Sequence, residues 1–314
     1  MSRQIPRELV VDYNKAIKRQ GAAAKKQVEA SLRAYLRDNP GATADEARDF
    51  AFELMQAAGD LYGNACSQAA LDLQYEIAEM FGARAPDIGG WLYEPDADSI
   101  AKTAQKYANE LKDGNVDGFV RGISEGAQYY AERGANSTMA QTARSQAKAS
   151  GKKRRKGAGS HGVKFARVPM GVTTCDFCIM LASRGFAYLS EESAGEFDQY
   201  HPHCDCRIVP NYEGGSLEGY DVDYYKDVYE HPENHPEIRE AQNARRRELY
   251  AERKQAEQGS QPNRRQLEAQ ARDAAVNQAP ELGVTEQEAL RRFDALVGAQ
   301  TDAQLRSYIK RYGN

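Results

Sequence analysis

Apolar residues recur at helical spacing from the start of the chain. Val10, Tyr13, Ile17, Ala24, Val28, Leu32 and Tyr35 lie on one stripe, which predicts a long helix over residues 6–37. Asp38-Asn39-Pro40-Gly41 ends it, because proline and glycine break helical propagation. Thr43-Ala44-Asp45-Glu46 then has the spacing of a capping box. A second helix follows to Phe81, with Phe52, Leu54, Met55, Leu61, Leu71 and Ile77 as its apolar positions. Two long helices joined by a short turn predict an antiparallel hairpin.

Residues 82–96 read as a loop carrying the single tryptophan, Trp91. Asp98-Ser99 is a candidate cap for a helix to Leu111, and a further helix is expected over residues 116–149. Gly118, Gly122, Gly126 and Gly134 weaken that helix in isolation and favour close packing against a neighbour.

The pattern changes at Val163. Three short strands are expected, at residues 165–169, 186–189 and 206–210, with a helical turn over 178–183 ending at Gly185. After a Tyr-rich stretch, a charged helix is expected from Pro236 to Glu257, then a linker at 259–263 and further helices with caps at Thr285 and Thr301. The expected fold is mainly α, with a small metal-clipped α+β module. The expected division is a helical domain (1–150), a basic loop (151–162), the α+β module (163–215), a Tyr-rich segment with its charged helix (216–258) and a helical tail (259–314).

Composition adds two exclusions. No run of about 18 apolar residues is present, so no membrane span is expected. The first residues, Met1 to Pro6, lack an apolar signal core, which argues against secretion. Net charge is −4, but its distribution is uneven. Between Gly134 and Cys175 there are nine Lys or Arg residues and no acidic one. The run Lys152, Lys153, Arg154, Arg155, Lys156 within it is a candidate for contact with nucleic acid phosphates, an acidic protein or solvent alone. No aromatic residue interleaves the run, so base stacking is not indicated.

Four of the five cysteines fall in one short window: Cys175-x-x-Cys178, then His201-Pro202-His203-Cys204-Asp205-Cys206. Two Cys/His clusters of this kind can close a tetrahedral zinc site. Cys175 and Cys178 form the first pair. His201, His203, Cys204 and Cys206 compete for the other places, and spacing alone does not choose. On an extended strand Cys204 and Cys206 would share a face. Four soft ligands and no zinc-hydrolase spacing point to a structural metal rather than a catalytic one. The remaining cysteine, Cys66, is expected as a buried, inert thiol. His231 and His235 flank prolines and are expected in a surface turn; His161 is expected in solvent.

The segments Phe165-Ala166-Arg167-Val168-Pro169 to Cys175-Asp176-Phe177-Cys178 and Tyr200-His201-Pro202-His203-Cys204-Asp205-Cys206-Arg207 resemble the Mu F-like head-morphogenesis family, minor capsid proteins of tailed bacteriophages. That family closes its domain on His-Pro-x-Cys-Arg-Cys. Asp205 replaces the arginine here, and His203 fills the variable position. The resemblance covers about residues 160–215. It implies His201, Cys204 and Cys206 as metal positions beside Cys175 and Cys178. It also implies a non-enzymatic virion component inside the capsid, assembled in the host cytoplasm, with the portal protein and major capsid protein as partners. Contact with viral genomic DNA through Lys152 to Lys156 is part of the same expectation. The alternatives are a zinc-finger-supported nuclease, with His201 or His203 as base, and a cellular nucleic-acid-binding zinc protein.

Overall fold

The computed structural model describes residues 3–84, 87–112, 114–150, 163–171, 173–188, 205–212, 214–260, 264–300 and 302–313. The fold is mainly helical with small sheets. It divides into two compact units, Met1–Ala256 and Glu257–Asn314. Among the described residues, no helix is long and apolar enough to cross a membrane.

The first unit is built on three long helices: α1 (Arg7–Asp38), α2 (Ala44–Phe81) and α4 (Val116–Ser150). They pack against one another, and the shorter α3 (Ala97–Lys112) packs against α2 and α4. The α1 stripe is buried as its spacing predicts, from Val10 to Leu32. The capping box is present: Thr43 accepts from the Glu46 N–H, and the Glu46 carboxylate accepts from the Thr43 N–H. The cap of α3 lies earlier than expected. Asp96, not Asp98 or Ser99, accepts from the N–H groups of both those residues and from the Ser99 hydroxyl.

The buried face of α2 differs from the expected stripe. Leu61 is 62% exposed, and Leu71 is only partly buried. Small residues face the core instead, including Ala51, Gly59, Gly63, Ser67 and Ala70. The reason is the close approach of α4. A Cβ on Gly134 would lie 2.0 Å from the Gly63 carbonyl oxygen, and one on Gly63 would meet the Tyr93 ring at 2.4 Å, so neither position has room for a larger side chain. The Ser67 hydroxyl donates to carbonyls on both sides of this seam, Gly63 at 2.9 Å and Gly134 at 3.1 Å. Cys66 beside it is fully buried, and burial pushes its thiol up to about 12, which keeps it protonated and inert as expected.

Among the described residues, two of the three expected strands form. β2 (Lys164–Pro169) pairs antiparallel with β3 (Cys206–Asn211), with Arg167 opposite Ile208 and Pro169 opposite Cys206. The third strand reduces to a single bridge between Phe165 and Tyr188, while Phe186 and Ala187 lie outside any strand and Leu189 outside the described residues. Tyr188 spends its hydroxyl on the Leu181 carbonyl, which holds the segment against α5 (Asp176–Ala182) rather than along a sheet. A second, parallel pair was not expected: β1 (Gln4–Ile5) lies beside β4 (Ser216–Leu217). It ties the first residues of the unit to the segment that follows β3. The Tyr-rich stretch forms another helix, α6 (Val222–Glu230), capped by the Asp221 carboxylate, before α7 (Pro236–Ser260).

The strands share one core with the helices. Phe165, Val168, Cys178 and Cys206 belong to the same buried cluster as Ile5, Ile17 and Ile77. A second cluster, with Leu32, Met55, Phe119 and Ile123, fills the other half of the bundle. In the second unit, α8 (Arg264–Gln278), α9 (Glu286–Leu296) and α10 (Asp302–Tyr312) enclose a smaller core of Leu267, Ala271 and Leu305. The expected cap at Thr285 is present, whereas Thr301 and the linker residues 261–263 lie outside the described residues.

Candidate metal centre

Cys178 and Cys206 come from different elements and meet in the core. Cys178 sits in the first turn of α5, and Cys206 opens β3. Both are buried, and their sulfurs lie 3.0 Å apart. A tetrahedral zinc with Zn–S bonds near 2.3 Å holds two thiolates about 3.8 Å apart. One ion would therefore open this pair only slightly. Cys175 is the N-cap residue of α5, half-buried and packed on the same cluster.

The expected positions divide into two groups. Cys175, Cys178 and Cys206 are described, and the structure brings the last two into contact. His201, His203 and Cys204 lie outside the described residues, as do Lys152, Lys153, Arg154, Arg155 and Lys156. Among the described residues, no group of three or more His, Cys, Asp or Glu side chains is gathered for a metal ion. The donors present fit one edge of a thiolate site, and any further ligands would come from 201–204.

The loop that carries Cys175 is held from three sides. The Thr174 hydroxyl donates to the Asp205 carboxylate at 2.9 Å, joining the residue before the first cysteine to the residue before the last. Burial raises the Asp205 carboxyl above its ordinary value, and the Thr174 hydrogen bond partly offsets this. Gln242, on α7, donates to the Thr174 carbonyl at 2.7 Å and to Asp176 at 3.1 Å. Arg7 of α1 donates to the Pro169 carbonyl at 2.8 Å, at the end of β2. Asp205 stands where the Mu F-like pattern has arginine, and here it is a hydrogen-bond acceptor that fixes the loop.

Two buried cations were not foreseen. Arg167 of β2 is fully buried, with Nη1 3.8 Å from Cys178 Sγ and 3.9 Å from Cys206 Sγ. Its guanidinium lies over the Phe177 ring, 5.6 Å from the centroid. Arg207, next to Cys206, pairs with Glu132 of α4 at 3.2 Å, and Lys18 of α1 reaches the same carboxylate. The sequence signal for Arg167 was a lone arginine inside the apolar run Phe165 to Val168. Glu132 carries no signal, because its partners are distant in sequence.

The His231–His235 segment forms the expected surface turn, but the His235 ring is not simply solvated. Its side chain is only 14% exposed, and its two ring nitrogens face Asp227 at 2.7 Å and Glu237 at 3.3 Å. It bridges α6 to the start of α7.

No curated protein and no solved structure matches the chain. The family model described as VG15 protein matches residues 4–231. That span runs from β1 through α6 and contains both cysteine clusters. The match covers well over half of the chain, and the chain belongs to the VG15 protein family, a family of viral gene products.

Proposed function

We propose that the protein is a minor capsid protein of the head-morphogenesis type. In this reading it is a non-enzymatic component of the phage head, associated with the portal vertex and the major capsid protein. The observation that supports it is the match to a viral family from β1 through α6, together with the Mu F-like cysteine pattern inside that span. The helical bundle supplies a rigid body, and the strands pack into its core, as suits a part built to assemble.

The same reading gives the cysteine cluster a structural zinc. Cys175, Cys178 and Cys206 would hold it, with His201, His203 or Cys204 completing the set. When bound, the ion supplies folding free energy to short strands that bury little surface of their own. Lys152 to Lys156 would face the packaged DNA. The nuclease reading would take His201 or His203 as its general base, and both lie outside the described residues.

Two measurements test this on the full chain. Elemental analysis should give about one zinc per chain, and a metal-free protein that keeps its full stability would end the structural-metal reading. Co-purification with the portal protein of the same phage should give a stable complex. Absence of that complex, with plasmid nicking in magnesium or manganese, would favour the nuclease.

A further inference from the structure

Arg167 is the group whose placement asks for a function. A guanidinium is seldom buried without negative charge or several acceptors, because desolvation costs several kcal/mol. Arg167 is 0% exposed, on a short strand that is buried along most of its length. Its Nη1 straddles Cys178 and Cys206 at nearly equal distances, 3.8 and 3.9 Å. Phe177 covers one face of the guanidinium, which fixes the direction of its N–H groups. Strand pairing fixes the rest. Arg167 lies opposite Ile208, two residues beyond Cys206, so the register of β2 on β3 sets the reach of the side chain to the sulfurs.

We propose that Arg167 is a positioning residue of the metal centre. It holds Cys178 and Cys206 at one edge of the site by donating to both sulfurs, and it offsets the negative charge that several thiolates bring to a buried zinc. Hydrogen bonds to ligand atoms orient them and tune their donation to the metal. The inference rests on the zinc reading above. Lysine would keep the charge but present a single hydrated point in place of the planar fork. Methionine would keep much of the volume and remove both the charge and the donors.

The test uses the full chain as wild type, Arg167→Lys and Arg167→Met. Zinc affinity is measured by competition with a chromophoric chelator. The sulfur-to-metal charge-transfer bands are recorded after cobalt substitution, and far-UV circular dichroism monitors the fold. Arg167→Met is expected to weaken zinc binding about 10- to 100-fold, the usual loss for a group that supports metal ligands. Arg167→Lys should fall between the two, and both variants should shift the cobalt bands. A wild type that binds zinc, with variants of equal affinity and unchanged bands, overturns the role of Arg167 alone. A wild type that binds neither zinc nor cobalt overturns the metal reading and this inference with it. If Arg167→Met loses its helical signal, Arg167→Lys decides: affinity and bands equal to wild type overturn the proposal.

Discussion

His235 illustrates how a residue's role depends on partners that its neighbours in sequence do not reveal. A proline directly after each of His231 and His235 points to an exposed turn. The turn forms, but the imidazole folds back between two carboxylates. The hydrogen bond to Asp227 raises its pKa above the ordinary imidazole value, and Glu237 adds to this. A raised folded-state pKa means the protonated ring is favoured by folding. Its stabilising contribution is therefore complete below about pH 6.5, the unfolded value, and is lost as pH rises through the folded value. The difference in Tm between wild type and His235→Gln should shrink from pH 5.5 to pH 8.5. A difference that stays constant over that range would show that the ring acts through packing alone. The meeting of Cys178 and Cys206 was legible at this scale, because two closely spaced Cys clusters point to one shared site. Arg167, Glu132 and Gln242 were not, since each meets a partner across tens of residues: Arg167 meets Cys206, Glu132 meets Arg207 and Gln242 meets Thr174.

At the scale of elements, helix positions were readable and helix faces only partly so. The α1 stripe and the caps at Thr43 and Thr285 followed local rules, because their partners lie within a few residues. The inner face of α2 did not follow from large apolar residues. Where two helix backbones approach closely, small residues mark the contact and leucines are displaced outward, as Leu61 is. The glycines of α4 carried the better signal. Gly134→Ala tests this seam. In an open helix the substitution would stabilise by about 1 kcal/mol. Here the new Cβ meets the Gly63 carbonyl backbone, which cannot rotate away. Denaturant unfolding should instead show a loss of about 1–3 kcal/mol, the usual cost of overpacking. Gly41→Ala is the control: its Cβ would meet nothing within 4 Å, and stability should stay within about 0.5 kcal/mol. A stabilised Gly134→Ala would mean that the helices can part without cost.

For the whole molecule, the decisive feature is that the strands and the long helices share one core. The change of pattern at Val163 suggested a separate small module, since a period of two replaces the helical one. Yet Phe165 and Ile208 lie in the same cluster as Ile17 of α1 and Ile77 of α2. The β1–β4 pair and the Arg207–Glu132 ion pair make further ties between strand and helix segments. Short strands with so little area of their own cannot supply an independent folding free energy. Damage to the strands should therefore be felt by the helices. Phe165→Ala removes a fully buried ring from β2 and is expected to cost about 3–5 kcal/mol. The helical circular dichroism at 222 nm should report this as a lower midpoint of the first unit's transition, and tryptophan fluorescence from Trp91 should move with it. If the helical midpoint stays in place while only the cysteines become reactive, the strands form an autonomous module. In that case a zinc ion bound as proposed would stabilise the clip alone rather than the body that carries it.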